Sequence, residues 1–486
     1  MAIAIAVAVI VAAFFYYATL PINHDTAWFI YAARGMLQGG KLYTDYVDVN
    51  APPAYFSMMP AAWLSQLPHF TNEAAMTINI LAYILIAYLL CLAVMREMKL
   101  SAATQTLLAS ALLIVMCFMP QYAFGQREHI FAVLLLPYAL SAGLRSENRF
   151  LPLGLAIACG IAAGLGASVK PPFLIVPAFI EAAVLLRRQS WKIVLSYDVL
   201  AFGGTVFLVY LASYFFYPVY WQKILPSALA LYGPYNNFQF LSDALMLQVP
   251  LFAIGFAAGE YRGKGNLVSA RLMLTAATLG AFALLILQRK GWPHHTLPIL
   301  LLLSALCILN LADLKKLAVK EKPKAIFRGT LSLAVIGGAF YLAIIGGNVD
   351  PNMLAGVETR LQGTDGSFYI MSTGNYPAFP LALNPTYKWA SRFPQLILLP
   401  GLIEAQMQGK KSPFEADFRD AILEDFLRTK PATVFLYTPV DAGGVTGDLM
   451  LEWLRHDLDF DLEWRAHYRW IGSTGPFGVY GRVHPG

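Results

Sequence analysis

The chain has 486 residues, of which 58% are hydrophobic and only 13% charged, against about 25% charged in soluble domains. With a mean hydropathy of +0.56, this composition excludes an ordinary soluble globular protein and assigns the chain to a membrane. The net charge of +6 comes from basic residues in short loops between apolar runs, so it reports topology and does not form a nucleic-acid surface.

The apolar run over residues 1–20 is long enough to cross a bilayer. It lacks the basic leader of a secretory signal and exceeds a usual signal core, so a retained first span is expected. Immediately after it stands His24-Asp25-Thr26-Ala27-Trp28, and the polar, aromatic-rich stretch that follows closes on Asn50-Ala51-Pro52-Pro53. Ten further spans are expected near residues 73–95, 102–120, 129–144, 150–168, 171–187, 194–216, 244–259, 268–288, 294–312 and 327–347. Val169-Lys170-Pro171-Pro172 joins the fifth and sixth, and can also be read as a break within one re-entrant element. Cys91, Cys117, Cys159 and Cys307 fall inside apolar runs at wide spacings, as packing residues rather than as a disulfide framework or metal knuckle.

Alternate loops differ in basic residues. One set holds Arg96, Lys99, Arg145, Arg149, Arg187, Arg188, Lys192, Arg262, Lys264, Arg271, Lys315, Lys316, Lys320, Lys322, Lys324 and Arg328. The other holds Arg34, Lys41, Arg127, Lys170, Lys223, Arg289 and Lys290. The richer set is expected on the cytoplasmic side, with the amino terminus inside and the carboxyl terminus outside. The expected fold is therefore a polytopic α-helical membrane protein of about eleven spans, over residues 1–348. Residues 349–486 are expected to form a small extracytoplasmic α/β domain, because apolar runs shorten there and acids and bases interleave. Ser367–Met371, Thr433–Tyr437 and Gly478–Arg482 read as strands, and Phe414–Arg428 has helical spacing.

On this topology the unusual polar groups collect at the outer helix ends. They are Asp25, Asp45 and Asp48 in the first loop, Arg127, Glu128 and His129 before the fourth span, Lys170, and Arg289, Lys290, His294 and His295 about the tenth. Ionisable groups at membrane depth are costly, and a convergent set points to function more strongly than any single member. Asp25 reads as a catalytic carboxylate, with helix capping as its structural alternative. Asp45 reads as a solvated loop acid, while Asp48 stands open between that role and substrate binding. Arg127, Glu128 and His129 are polar enough to bind a diphosphate, a sugar or a metal, with a local ion pair as the alternative. Glu128 beside His129 offers ligand types suited to a divalent cation, but two adjacent side chains do not make a coordination sphere. Lys170 and Lys290 read as phosphate-binding cations, with snorkelling to headgroups as the alternative. His294 and His295 rank as phosphate donors first, interfacial residues second and metal ligands third. Tyr232-Gly233-Pro234-Tyr235-Asn236-Asn237 is a secondary sugar-contact candidate.

Asp25 after the first span, the segment Ala32-Ala33-Arg34-Gly35-Met36-Leu37-Gln38-Gly39-Gly40-Lys41-Leu42-Tyr43, and Pro52-Pro53 before the next apolar stretch together resemble a family. It is the GT-C integral-membrane glycosyltransferases, in the group around protein O-mannosyltransferases and the lipid A aminoarabinose transferase. The chain departs from the group in having Asp25-Thr26 where many members carry two acids, and Arg127-Glu128-His129 where relatives often carry an Asp. The resemblance implies a hexosyl- or pentosyltransferase in a bacterial inner membrane, using a sugar linked to a polyprenyl phosphate on the non-cytoplasmic face. It implies Asp25 as the catalytic carboxylate and Lys170 as a counterpart of the basic phosphate-binding residues. The expected partners are that lipid-linked donor, a lipid, polysaccharide or protein acceptor, and membrane lipids, with no nucleic acid. No cofactor is required by the sequence, and a divalent metal stands open. A carboxylate and a few cations suffice for such chemistry, since the donor carries a good leaving group and attack opposite it inverts the anomeric centre. The competing reading is a transporter or flippase of a lipid-linked or small anionic solute. It would call for broken helices, midplane charges and two similar halves, and the sequence shows no repeat.

Overall fold

The computed structural model describes residues 2–259, 261, 266–312, 322–347 and 349–483. Arg262, Lys264, Lys315, Lys316 and Lys320, which enter the count of loop cations, lie outside the described residues. In chain order the helices begin with α1 (Ala2–Tyr17), α2 (His24–Leu37), α3 (Pro52–Phe56) and α4 (Met59–Leu64). There follow α5 (Asn72–Glu97), α6 (Ala102–Phe118), α7 (Arg127–Ser146), α8 (Leu153–Ser168), α9 (Ile175–Arg188) and α10 (Tyr197–Phe216). Next come α11 (Leu225–Leu231), α12 (Phe238–Ala257), α13 (Asn266–Gln288), α14 (Pro293–Ala312) and the helix Lys322–Gly346.

Each expected span coincides with a helix, and among the described residues seven helices are long and apolar enough to cross a membrane. α1, α6 and α8 are apolar but shorter. At the join around Lys170 the chain breaks into two helices. α8 stops at Ser168, Lys170 is extended, and a 3-10 turn over Pro171–Leu174 leads into α9. The two prolines supply no N–H donors and favour a helix start, which accounts for the break.

Packing divides the chain into two compact units. The first comprises Met1–Leu20, Leu67–Ser213 and Asn237–Asn348. The second comprises Pro21–Gln66, Tyr214–Asn236 and Val349–Gly486. One border thus falls at the composition change near residue 348. The segments 21–66 and 214–236, which the sequence analysis included in the membrane domain, pack with 349–486. They hold only short helices, and their polar and aromatic side chains find partners in the second unit.

In the first unit α7 is the central element, packed against α5, α8, α9, α13 and α14. Every residue from Arg127 to Ser146 is buried, so each charge α7 carries must be partnered within the protein. Toward its C-terminal end, the Arg145 guanidinium grips the Glu181 carboxylate through both terminal nitrogens, at 2.9 and 2.6 Å. Its Nε lies 2.8 Å from Asp198 Oδ2. Tyr138 donates to Glu181 at 2.6 Å and Ser141 to Asp198 at 2.6 Å, so α7, α9 and α10 share one polar network.

The second unit holds a five-stranded sheet in the order β2-β1-β3-β5-β4. Its strands are β1 (Ser367–Met371), β2 (Lys388–Trp389), β3 (Thr433–Tyr437), β4 (Tyr468–Thr474) and β5 (Phe477–Arg482). β1 pairs parallel with β2 and β3, while β5 pairs antiparallel with both β3 and β4. The strands expected at 367–371, 433–437 and 478–482 are present, and the expected helix forms over Glu415–Thr429. β1 is buried along its whole length, consistent with its apolar run between two neighbours.

Within this unit α2 is held at several points. Arg34 donates to Ser65 Oγ at 2.9 Å and to the Leu383 carbonyl at 3.4 Å. Gly35 admits the ring of Tyr46, whose hydroxyl would lie 1.8 Å from a Cβ at that position. Gly39, at φ +97°, carries the chain out of the helix in a conformation that favours glycine.

Replacing Arg145 by Met is expected to cost about 3–5 kcal/mol, because two carboxylates on α9 and α10 lose their counter-charge. Arg145→Lys should recover only part of this, since an ammonium cannot reproduce the bidentate fork. Thermal unfolding of the purified protein in detergent gives the check, and an unchanged midpoint for both variants contradicts the assignment.

Candidate functional site

Asp25 lies in the first turn of α2. Asn23 caps the helix, its side-chain oxygen accepting the Asp25 N–H at 3.0 Å. The Asp25 carboxylate is partly exposed, with Oδ1 accepting the Asn375 side-chain amide at 3.1 Å and lying 3.9 Å from His24 Nε2. Burial lowers the pKa of His24 and outweighs the attraction of Asp25, which favours a neutral imidazole at pH 7. The geometry therefore supplies an N-terminal helical carboxylate held by a neutral amide donor.

Asp48, open between solvation and substrate binding in the sequence, is buried and serves the structure of the loop. Its Oδ2 accepts Trp28 Nε1 at 3.1 Å, the Tyr55 hydroxyl at 3.1 Å and the Asn50 amide at 2.5 Å. Its Oδ1 accepts the Val49 N–H at 2.7 Å. These donors tie α2 to α3 and offset the burial of the carboxylate. Asp45 accepts the Lys41 N–H at 2.8 Å in an exposed turn. In the secondary candidate loop Tyr235 is buried, with Tyr232 against it at 5.2 Å between ring centroids.

A second cluster lies in the first unit, at the Arg127 end of α7. Lys170 Nζ donates to Glu128 Oε1 at 2.8 Å and to Gln288 Oε1 at 2.6 Å, and lies 3.3 Å from His295 Nε2. Glu128 is wholly buried, which is sustainable because the ammonium sits against it. The His294 and His295 rings meet edge to face at 4.5 Å, and Trp292 packs on both. Lys290 lies over the Trp292 ring at 5.1 Å. Burial, with Lys170 and Arg127 as like-charged neighbours, pushes the Lys290 pKa down to about 7. Arg127, Lys170 and Lys290 therefore reach one region from three separated stretches of chain, as a site for an anion would require.

His129, although adjacent to Glu128, faces elsewhere. Its Nδ1 accepts the Gly125 N–H at 3.2 Å and its Nε2 donates to the Met116 carbonyl at 2.8 Å, so both ring nitrogens are used in packing. The residues that Glu128 could join around a metal are His294 and His295 instead. One ligand atom from each of the three lies within 4.8 Å of the others. Glu128 Oε2 and His295 Nδ1 are buried and make no hydrogen bond, and a carboxylate with two imidazoles is a donor set suited to zinc or a similar divalent ion. Lys170 already engages Glu128 Oε1 and His295 Nε2, so a cation there would use the other atoms or displace the ammonium.

Sequence reasoning missed Gln288 and Asn375. Gln288 ends an apolar helix next to Arg289-Lys290, and that adjacency was a usable signal. Asn375 lies 350 positions from its partner and has no local signature.

No protein-family model matches this sequence, and no curated protein matches it. A search of solved structures does find likenesses. ArnT from Cupriavidus metallidurans bound to undecaprenyl phosphate aligns over 99% of this chain and 98% of that one, with 12% identity and a TM-score of 0.57. This chain has the GT-C fold. The apo ArnT structure from the same organism covers the same shares at 13% identity and a TM-score of 0.48. The Archaeoglobus fulgidus oligosaccharyltransferase in complex with Zn and sulfate aligns over 98% of this chain and 73% of that one, at 14% identity and a TM-score of 0.46.

Lys170→Met should destabilise the GT-C unit by about 3 kcal/mol, because a buried carboxylate loses its nearest counter-charge. The double variant Lys170→Met/Glu128→Gln should regain most of that loss, since no uncompensated charge remains. Thermal midpoints of the two variants test the pair, and equal destabilisation in both would show that the charge on Glu128 is irrelevant.

Proposed function

We propose that this chain moves a sugar from a polyprenyl-phosphate carrier to an acceptor hydroxyl on the outer face of a bacterial cytoplasmic membrane, with inversion at the anomeric carbon. The observation that carries the reading is the gathering of Arg127, Lys170 and Lys290 around Glu128, His294 and His295 in one compact unit. The likeness to a protein solved with undecaprenyl phosphate, along nearly the full length of both chains, suggests that the anion is a lipid phosphate.

In this mechanism Asp25 accepts the proton of the acceptor hydroxyl while its oxygen bonds to the anomeric carbon. The bond from that carbon to the phosphate oxygen breaks on the opposite side, and its electron pair leaves with the phosphate. The departing group gains negative charge as the bond breaks, so Lys170, Arg127 and protonated Lys290 stabilise the transition state more than the bound donor. Without a metal, His294 and His295 donate hydrogen bonds to the same oxygens. With one bound, Glu128, His294 and His295 would instead hold the divalent cation, which would supply the further positive charge. The lipid, polysaccharide or protein nature of the acceptor does not alter these roles.

Asp25→Asn keeps the size of the side chain and removes the base, so turnover should fall by at least about a hundredfold in a correctly folded variant. Release of undecaprenyl phosphate from the lipid-linked sugar pool of native membranes, followed by mass spectrometry, gives the measurement. Near-normal release would eliminate Asp25 as the base.

Lys290 generates a pH dependence. With its pKa lowered from the usual lysine value to about 7, it is cationic below that pH and neutral above it. Its contribution to anion binding is therefore present in acid and lost as pH rises through about 7. At pH about 6, wild type should bind undecaprenyl phosphate about tenfold more tightly than Lys290→Met. By about pH 9 the ratio should approach one. Using the ratio cancels ionisation of the phosphate itself, and a pH-independent ratio would exclude Lys290 from the anion site.

A further inference from the structure

We propose that Asn375 is a positioning residue for Asp25, fixing the carboxylate in the rotamer from which it takes the acceptor's proton. This rests on the reading of Asp25 as the base.

The loop that carries Asn375 leaves the carboxyl end of β1. The sheet order places β2 on one side of β1 and β3 on the other, so the connections diverge at this point. In α/β sheets such a divergence opens the edge where ligands are handled. The loop is secured on both sides of Asn375. The Thr373 hydroxyl donates to Asp441 Oδ2 at 2.6 Å, and Asp441 belongs to the loop that follows β3. The Gly374 N–H donates to Ser372 Oγ at 3.0 Å, and the Asn375 carbonyl accepts the Phe379 N–H at 2.9 Å. Phe379 packs edge to face on Trp28 and Tyr31 of α2, at 5.2 and 5.4 Å between centroids. The Asn375 side chain is buried, and its Nδ2 reaches Asp25 Oδ1 at 3.1 Å.

The direction of that bond follows from chemistry. An ionised carboxylate only accepts, so the amide must present its NH2 group. An amide is also neutral near pH 7 and does not compete for the proton that Asp25 is to receive. The bond therefore restricts rotation of the carboxylate without consuming its function as a base. The Asn23 side chain fixes the Asp25 backbone from the other direction at 3.0 Å. Misorientation of a reacting group by an ångström can cost about a hundredfold in rate, which makes a single such bond consequential.

The test uses the full chain, in native membranes for turnover and in lipid nanodiscs for binding, with Asn375→Ala, Asn375→Asp, Asp25→Asn and Asp25→Asn/Asn375→Ala. Turnover is read as undecaprenyl phosphate released from the native lipid-linked sugar pool, and binding is read with undecaprenyl phosphate alone. Asn375→Ala should lose about tenfold to a hundredfold in turnover, and the isosteric Asn375→Asp should lose more because it sets a second carboxylate against the first. Affinity for undecaprenyl phosphate should stay within about twofold, and the alanine change should cost nothing further on the Asp25→Asn background.

A role confined to packing would lower the thermal midpoint and make Asn375→Ala cut turnover as much on the Asp25→Asn background as in wild type, and would overturn the proposal. Near-normal turnover in both single Asn375 variants would overturn it too, while leaving the Asp25 reading intact if Asp25→Asn is inactive. Activity in Asp25→Asn would remove the base itself, a separate outcome.

Discussion

Charge in a low-dielectric interior persists only where an opposite charge or a set of donors meets it, and α7 shows how this constraint organises the first unit. The helix is enclosed on all sides yet carries Glu128 near one end and Arg145 near the other. Each recruits a different set of neighbours: Lys170 with Gln288 and His295 for Glu128, and Glu181 with Asp198 for Arg145. The two ends differ in what they leave over. Around Arg145 one cation is gripped by two carboxylates, with hydroxyls of Tyr138 and Ser141 completing the network. Around Glu128 one carboxylate faces several cations, an excess of positive charge suited to an incoming anion.

The second unit follows the same rule by another means. Here the buried acid is Asp48, and its partners are an indole, a phenol, an amide and a backbone N–H rather than a cation. Such neutral donors stabilise the carboxylate while leaving no net positive charge to attract a phosphate. Asp25, on the same helix as Trp28, is instead partly exposed and held by Asn375. One acid builds the loop, and the other remains accessible to chemistry.

Much of the architecture was legible from composition and periodicity. Apolar runs of span length had to become helices, because backbone groups in lipid can be satisfied no other way within a single segment. The alternation of short apolar runs with charges after residue 348 likewise predicted the strands at 367–371 and 433–437, which form as expected. Less legible was the assignment of 21–66 and 214–236 to the second unit. Their membership depends on contacts such as Arg34 to Ser65 and Leu383, which no local pattern announces.

The sequence by itself determined the helical membrane architecture, the outlying strand-forming segment and the candidate chemistry of Asp25, Lys170 and the histidines near residue 294. These follow from local properties: hydropathy over one span, residue type, and position at a helix end. Only the tertiary structure decided how each polar group is used. It turned His129 into the packing and drew His294 and His295 toward Glu128, although His129 is the nearer neighbour in sequence. It satisfied Asp48 with four donors and gave Asp25 a partner from the far end of the chain. The physical reason is that a hydrogen bond or ion pair is settled by distance and direction over a few ångströms, and adjacency along the chain fixes neither once helices and sheets have packed.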